Sequence, residues 1–406
     1  MAGGFRRFRV AEKRRESSII SSFDLVPVDG EALWPARPGQ YLTLRVPTED
    51  GPVLKTYSIS GDVTSPNGYR ITVKREAAPA DQPDWADGVG SCWLHNEVEV
   101  GDEVEIAAPR GHFVLDEDSK RPVVLLSGGV GLTPLVSMLH QLVDAERDVW
   151  FIHACEDGEV QAMGEEVSGL AGRAGGRIRT HLAYRQPTKA DRKGARFDSE
   201  GVIDRGVLQS LLPLDDYDVY MCGPTPFMVA MYRLLTELGV DSDRIAYEFF
   251  GTATSLEKLA QVSEQSEARA SIPANAPAAL ANLAFLTDPE ARAVDDDARF
   301  RVHPGTEHPV GEAPPATAPD HAEGDVVFAR SGKSAKWTET AESLLDLAEQ
   351  SGLTPEFSCR AGICNSCICS IREGEVEYFE EPLDPPAPGE VLLCCSRPAG
   401  RIVLDL

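Results

Sequence analysis

The chain has 406 residues, 42% hydrophobic and 26% charged, with 65 Asp and Glu against 39 Lys and Arg for a formal charge of −26. That length exceeds one ordinary domain and fits roughly two to four, and the apolar fraction suffices for packed cores, which excludes a mostly disordered chain. So negative a chain repels phosphate backbones and anionic membranes, so nucleic acid is not an expected partner, and no apolar run approaches the roughly 18 residues of a membrane helix. The early basic residues Arg6, Arg7, Arg9, Lys13, Arg14 and Arg15 precede no apolar stretch, so no secretory signal is read and a soluble, cytoplasmic protein is expected.

Four regions follow one another along the chain. Over residues 1–118, short alternating runs such as Tyr41-Leu42-Thr43-Leu44-Arg45-Val46 and Tyr69-Arg70-Ile71-Thr72-Val73-Lys74 are separated by Gly, Pro and Asp turns, which predicts an antiparallel β-barrel. Over 119–251, buried-strand runs (Val123-Val124-Leu125-Leu126, Val149-Trp150-Phe151-Ile152, Val219-Tyr220-Met221) alternate with helical stretches at 135–143 and 227–238, which predicts an α/β parallel sheet. Residues 252–323 are rich in Ala, Pro and acidic residues, read as a long interdomain linker, with a small helical subdomain as the alternative. Over 324–406, β-like runs return with one amphipathic helix around 343–351. Multidomain architecture is therefore the expected fold class.

Between the first predicted strand of the second region and its helix lies Ser127-Gly128-Gly129-Val130-Gly131-Leu132-Thr133-Pro134. Gly128, Gly129 and Gly131 allow a tight turn and close approach of a pyrophosphate to the helix N-terminus, where Thr133 can cap and Pro134 suits the first turn. The nine cysteines are unevenly placed. Cys92, Cys155 and Cys222 stand singly, whereas Cys359, Cys364, Cys367, Cys369, Cys394 and Cys395 cluster late in the chain. Clustering without a sign of export points to metal rather than to disulfides. Cys359, Cys364 and Cys367 have the spacing C-x4-C-x2-C, with a fourth cysteine far downstream, which is the plant-type [2Fe-2S] pattern. Three thiolates come from one loop and the fourth from a distant strand, while Ala361, Gly362 and Ser366 let backbone N–H groups approach the sulfides. Zinc also accepts four cysteines, but its sites pair two short C-x2-C knuckles.

Further strings complete the pattern: Arg37-Pro38-Gly39-Gln40-Tyr41, Lys55-Thr56-Tyr57-Ser58, Gly88-Val89-Gly90-Ser91, Pro109-Arg110-Gly111-His112-Phe113, Cys222-Gly223-Pro224 and Glu248-Phe249-Phe250-Gly251. With these, residues 1–251 resemble the ferredoxin–NADP reductase superfamily, and most closely the reductase part of flavohaemoglobins. The segment Val391-Leu392-Leu393-Cys394-Cys395-Ser396-Arg397-Pro398 resembles the plant-type ferredoxin ending and selects Cys394 as fourth ligand. That resemblance implies a β-grasp ferredoxin domain. The order of domains resembles reductases of the phthalate dioxygenase type.

What the resemblance implies is specific. Tyr57 would pack on the flavin and the Ser58 hydroxyl would reach N5, where hydride arrives. Lys55 stands where the family has Arg, so it keeps the charge for a phosphate and loses the bidentate fork. Gly90 and Ser91 match the second flavin-phosphate loop, with Ser91 as a helix cap the bland alternative. Cys222, Gly223 and Pro224 match the turn beside the nicotinamide, and Glu248 and Phe250 match the ending whose aromatic ring covers the flavin. A buried inert thiol for Cys222 and plain core for Phe250 are the alternatives. His153 and His95 read as packed histidines.

Flavohaemoglobin-like motifs favour FAD over FMN, although phthalate dioxygenase reductase carries FMN. The acidic string Glu156-Asp157 favours NADH over NADPH, with Arg185 as a residue that could change that. The expected function is a reductase that passes electrons from NAD(P)H through flavin to the cluster and on to a separate acceptor protein, an oxygenase component. A haem, molybdenum or quinone acceptor, or a cluster-based redox sensor without turnover, are the alternatives. A flavohaemoglobin-type dioxygenase is disfavoured, since the chain opens directly on the barrel. From Asp325 onward, 14 Asp and Glu face 7 Lys and Arg, so part of the excess charge is read as a docking face around Glu373, Glu375, Glu377, Glu380 and Glu381.

Overall fold

The structure, a computed structural model, describes residues 4–49, 51–78, 87–250, 256, 326–338, 341–357, 360, 362–363, 365–383 and 385–406. The expected linker over 252–323, with its helical alternative, lies outside the described residues apart from Leu256. The chain divides into two compact units, Met1–Asp297 and Ala298–Leu406. Among the described residues, no helix is long and apolar enough to cross a membrane.

The first unit opens with strands β1 (Arg6–Arg15), β2 (Ile20–Pro27), β3 (Tyr41–Val46), β4 (Val53–Ser58), β5 (Tyr69–Lys74) and β6 (Glu103–Ile106). They form an antiparallel sheet in the order β4-β3-β6-β1-β2-β5, and a bridge between Ile59 and Ile71 joins its two ends into a barrel. Period-2 alternation drives the closure: Phe8, Val10, Phe23, Leu25, Leu42, Leu44 and Ile71 point inward into one core. Each fully buried side chain of this size contributes about 1.5–3 kcal/mol. Helix α1 (Val89–Asn96) follows β5.

A parallel sheet comes next, with strands β7 (Val123–Gly128), β8 (Val149–Cys155), β9 (Ile178–Tyr184), β10 (Ser199–Glu200), β11 (Asp218–Cys222) and β12 (Ile245–Glu248) in the order β10-β9-β8-β7-β11-β12. Helices α2 (Leu132–Leu142), α3 (Gly164–Arg173), α4 (Lys189–Gly194), α5 (Arg205–Leu211) and α6 (Thr225–Glu237) connect these strands. The continuous apolar run of β7 serves two faces. Val123 and Leu125 pack into a core with α2 and α3, while Val124 and Leu126 pack into another with Leu208 of α5 and Met228 of α6. The barrel shares the first of these cores through Ile20, Phe113 and Leu115.

In the second unit, β13 (Val326–Phe328), β14 (Lys333–Ala335), β15 (Ile368–Glu373), β17 (Glu390–Leu392) and β19 (Ile402–Leu404) form a mixed sheet in the order β14-β13-β19-β15-β17. Strands β16 (Val376–Tyr378) and β18 (Ser396–Pro398) make a separate ribbon. Helix α7 (Leu344–Gln350) is capped by Ser343, whose hydroxyl accepts from the Asp346 N–H, and packs Leu344, Leu345 and Leu347 on the sheet. Among the described residues this is an α+β arrangement in which helix α7 shares one core with a mixed sheet.

Candidate functional site

The parallel sheet reverses its winding between β7 and β11: strands β8, β9 and β10 are added on one side of β7, and β11 and β12 on the other. Such a switch opens a crevice beyond the carboxyl ends of the two central strands. Two glycine turns meet there. After β7, residues Gly129–Gly131 form a 3₁₀ turn with Gly129 at φ +53°. A Cβ on Gly131 would lie 2.3 Å from the Cys222 carbonyl oxygen and 2.6 Å from the Gly223 nitrogen. A Cβ on Gly223 would lie 2.9 Å from the Phe227 ring and 3.0 Å from the Gly128 nitrogen. The backbones of the two turns therefore approach as closely as only glycine allows. Pro224 is the N-cap of α6. Thr133 departs from its expected capping role: the cap of α2 is Gly131, and Thr133 lies buried two positions past it, inside the first turn.

Cys222 pairs in register with Ser127 on one side and Glu248 on the other. It is fully buried, and burial pushes its thiol well above the usual range, helped by the neighbouring Glu248 carboxylate. From the barrel, Ser58 at the end of β4 donates its hydroxyl to Glu248 Oε2 at 3.4 Å. Burial pushes the Glu248 carboxyl up to about 8, with the Ser58 hydrogen bond pulling the other way. Ser58, Cys222 and Glu248 thus converge from three separate strands. Phe250 follows β12 and is 43% exposed, so it is not plain core; its neighbour Phe249 packs edge-on to Tyr247 with ring centroids 5.5 Å apart.

Upstream of Ser58, β4 runs past the start of α1. A Cβ on Gly90 would lie 2.5 Å from the Tyr57 hydroxyl and 2.8 Å from the Lys55 stem. Lys55 is exposed, and Gly90 and Ser91 are buried. The Ser91 hydroxyl donates to the Gly88 carbonyl at 3.2 Å and accepts from the Glu76 N–H at 3.1 Å. It is not the N-cap of α1, a place held by Gly88 without a side-chain bond. Tyr41 and Arg110, from two strings quoted above, exchange backbone hydrogen bonds at 2.9 and 3.0 Å. Exposed cation, aromatic ring and tight helix start together suit a flavin and its phosphates.

At the end of β8, Arg185 grips Glu156 through Nε at 2.8 Å and Nη2 at 3.1 Å. His153 is buried, bonded through Nδ1 to the Ser127 hydroxyl at 2.9 Å, and burial pushes it down to about 4. It is therefore a neutral packed side chain. His95 is likewise held by the Val73 carbonyl at 2.8 Å.

Of the four cluster cysteines expected in the second unit, Cys359 and Cys364 lie outside the described residues. Cys367 and Cys394 are buried in one core. The Gly362 N–H donates to Cys394 Sγ at 3.3 Å, and a Cβ on Gly362 would lie 2.9 Å from Cys395 Sγ. Arg360, Gly362 and Asn365 all have left-handed backbone, at φ 51°, 65° and 58°. An amide aimed at a buried sulfur from such a loop suits an iron–sulfur cluster. Cys395 and Cys369 direct their thiols at backbone carbonyls instead.

Sequence reasoning did not single out Arg70, Glu166 or His140, which meet between the barrel and the parallel sheet. They occupy ordinary strand and helix positions, with no spacing to flag them.

Three family models match the chain: an oxidoreductase FAD-binding domain over residues 8–115, an oxidoreductase NAD-binding domain over 125–233 and a 2Fe-2S iron-sulfur cluster binding domain over 328–399. A flavohemoprotein of Bacillus thuringiensis subsp. konkukian is 41% identical over 257 residues, 62% of each chain. The chain thus spans about 62% of the length of that curated relative. Among solved structures, the flavohem-like FAD/NAD-binding domain of a nitric oxide dioxygenase from Vibrio cholerae matches at TM-score 0.54 and 36% identity, covering 60% of this chain and 98% of that one. Phthalate dioxygenase reductase matches at TM-score 0.51 and 24% identity over 99% of this chain and 98% of that one, a likeness of fold. With FAD-binding, NAD-binding and 2Fe-2S domains in that order, the chain belongs to the ferredoxin–NADP reductase superfamily of oxidoreductases.

Proposed function

We propose that this protein is an electron-transfer reductase that takes electrons from NADH and delivers them, through FAD and a [2Fe-2S] cluster, to a separate acceptor protein, an oxygenase component. The observation that carries the reading is the meeting of Ser58, Cys222 and Glu248 at the sheet's switch point in a chain that also carries the cysteine loop. When bound, the three groups supply hydride donation, the change from two-electron to one-electron transfer, and one-electron delivery.

The chain's own residues bind and orient. Lys55, Tyr57, Gly90 and Ser91 would hold the flavin and its phosphates, and Ser58 would sit at its reacting edge. Gly128, Gly129, Gly131, Thr133, Gly223 and Pro224 would shape the nicotinamide crevice, with Cys222 and Glu248 at its base and Phe250 as its exposed aromatic cover. Cys359, Cys364, Cys367 and Cys394 would be the cluster ligands. The Arg185–Glu156 pair supports NADH: the guanidinium is already neutralised by a carboxylate and is not free for a ribose 2′-phosphate. The acceptor reading is supported by the likeness of fold to phthalate dioxygenase reductase and by exposed acidic residues, of which Glu375 stands beside Glu373 and Glu377, themselves paired with Arg401 and Arg397. A basic docking face on the acceptor fits that charge.

An anaerobic titration tests this, with flavin and cluster absorbance followed separately. NADH is expected to bleach both at well below the NADPH concentration required. A cluster that stays oxidised under excess NADH, or iron and sulfide far from two each per chain, would sink the proposal.

A further inference from the structure

Among the described residues several polar contacts cross between the barrel and the parallel sheet besides Ser58–Glu248, and one of them is built from three charged or ionisable side chains. Arg70 on β5 grips Glu166 in the first turn of α3 with both arms of its fork, at 2.9 and 2.8 Å. His140 of α2 closes on the same carboxylate, Nε2 to Oε1 at 2.7 Å. These groups are largely shielded: the Arg70, His140 and Glu166 side chains are 11%, 18% and 23% exposed. The others each engage a backbone group: the Ser18 N–H donates to the Glu159 carbonyl at 2.9 Å, the Asp116 N–H to the Tyr220 hydroxyl at 2.8 Å, and Arg147 Nη1 to the Asp116 carbonyl at 2.9 Å.

Arg70 also faces the other way. Its Nη2 donates to the Ser60 carbonyl and its Nε to the Ser60 hydroxyl, and the two backbones pair through the Ser60 N–H and Arg70 carbonyl at 2.8 Å. Ser60 stands two residues beyond Ser58. Behind it a line of buried hydroxyls anchors the barrel wall: Ser60 to Thr72 at 2.8 Å, Thr72 to Ser22 at 2.7 Å, and Ser22 to the Glu16 carboxylate at 2.6 Å. One guanidinium therefore ties the strand end that carries Ser58 to the helix pair that lines the sheet carrying Glu248. A buried polar network of this kind rigidifies the elements it joins. A bidentate arginine fork fixes angle as well as distance, which a lone point charge does not.

We infer that the Arg70–Glu166–His140 clamp is a positioning device, which sets the approach of the NAD-binding domain to the β4 edge so that the donor reaches the flavin in register. The inference rests on the reductase reading above. It assigns to Arg70 and Glu166 a role in the speed of hydride arrival rather than in holding either cofactor, since neither belongs to the turns around Gly90 or Gly131.

The experiment uses the full chain with its flavin and cluster, mixed with NADH in a stopped-flow instrument under anaerobic conditions. The limiting rate of flavin reduction and the NADH concentration at half-saturation are read separately, together with the long-wavelength charge-transfer band of the nicotinamide–flavin pair. Glu166→Gln keeps shape and loses charge, and is expected to lower the limiting rate roughly ten- to a hundredfold and weaken the charge-transfer band. Half-saturation, flavin content and iron content should stay within about twofold. Arg70→Lys keeps the charge without the fork and should fall between parent and Glu166→Gln, which decides the matter if Glu166→Gln proves poorly folded. A limiting rate and band unchanged in both variants, with a parent that is readily reduced, would overturn the clamp while leaving the reductase intact. A parent that NADH does not reduce overturns the reductase reading and the clamp with it.

Discussion

The crevice of the first unit and the cysteine loop of the second are assembled on opposite plans. Ser58 and Glu248 are 190 residues apart and touch only because a barrel strand and an edge strand of the parallel sheet end at one place. Gly131 and Gly223 are dictated by what lies across from them, the Cys222 carbonyl for the one and the Phe227 ring and Gly128 backbone for the other. In the cysteine loop the constraint is local: residues 360, 362 and 365 take left-handed backbone within six positions, and the Gly362 amide reaches Cys394 Sγ. Left-handed conformations cost a non-glycine residue about 1–2 kcal/mol each, so Arg360 and Asn365 are held by their surroundings. For Arg360 these include Glu349 and the Phe357 ring, the latter 4.1 Å from the guanidinium. A site made by long-range contact tolerates changes that spare the contact surface. A site made by a strained loop tolerates changes that spare the ligands.

The largest expected effect separates the two plans outright. Cys394→Ser should reduce bound iron to near zero, because a neutral hydroxyl is a poor replacement for a thiolate on iron. NADH should still bleach the flavin of that variant. Cys395→Ala, one residue further on, should keep its iron and lose only about 1–2 kcal/mol of packing. Iron analysis of the two variants decides between the neighbours, and the reverse result would move the ligand to Cys395.

Next in size is a change on the other side of the comparison. Gly131→Ala places a methyl group where the Cys222–Gly223 peptide already stands, so one backbone must move by a sizeable fraction of an ångström. Displacements of that order cost about a hundredfold in a positioned reaction. Flavin reduction by NADH should slow by roughly that factor, with iron content unchanged. A rate within twofold of the parent would show that the two turns are not the floor of the nicotinamide site.

The same contrast governs how much could be read beforehand. Strands β3 and β5 and helix α7 follow from periodicity, because their apolar residues recur at the spacing of the face that each turns to a core. The cysteine spacing was equally plain, since Cys359, Cys364 and Cys367, three of the four expected ligands, fall within nine residues. The crevice was legible only through a likeness of several strings to a known family; nothing in the residues around Ser58 announces Glu248. Arg70 and Glu166 had no such signal at all. Each sits at a position that alternation or amphipathicity already accounts for, and their partnership exists only in three dimensions. Thr133 failed for a smaller reason: the 3₁₀ turn at 129–131 starts the helix earlier than the Thr-Pro pair suggests.

The smallest expected effect concerns protons, and it too should mark one site and spare the other. Glu248 keeps its carboxyl protonated up to about pH 8 in the folded protein, because burial disfavours the charged form more than the Ser58 hydroxyl favours it. In the unfolded chain a glutamate releases its proton near pH 4.3. Between those values the folded state holds a proton that the unfolded state has lost. Stability therefore falls as pH rises through the window from about 4.5 to 8, and is unaffected by this group below it. Glu248→Gln has the same shape and cannot ionise. Its stability relative to the parent should improve from pH 5 to pH 8 by something on the order of 2 kcal/mol, read from denaturant midpoints followed by flavin fluorescence. Loss of cluster absorbance in the same titrations is the internal control, and should shift equally little in both proteins. Parallel pH curves for the flavin signal would mean that Glu248 is ionised in the folded protein, and that the crevice, like the cysteine loop, holds no displaced proton.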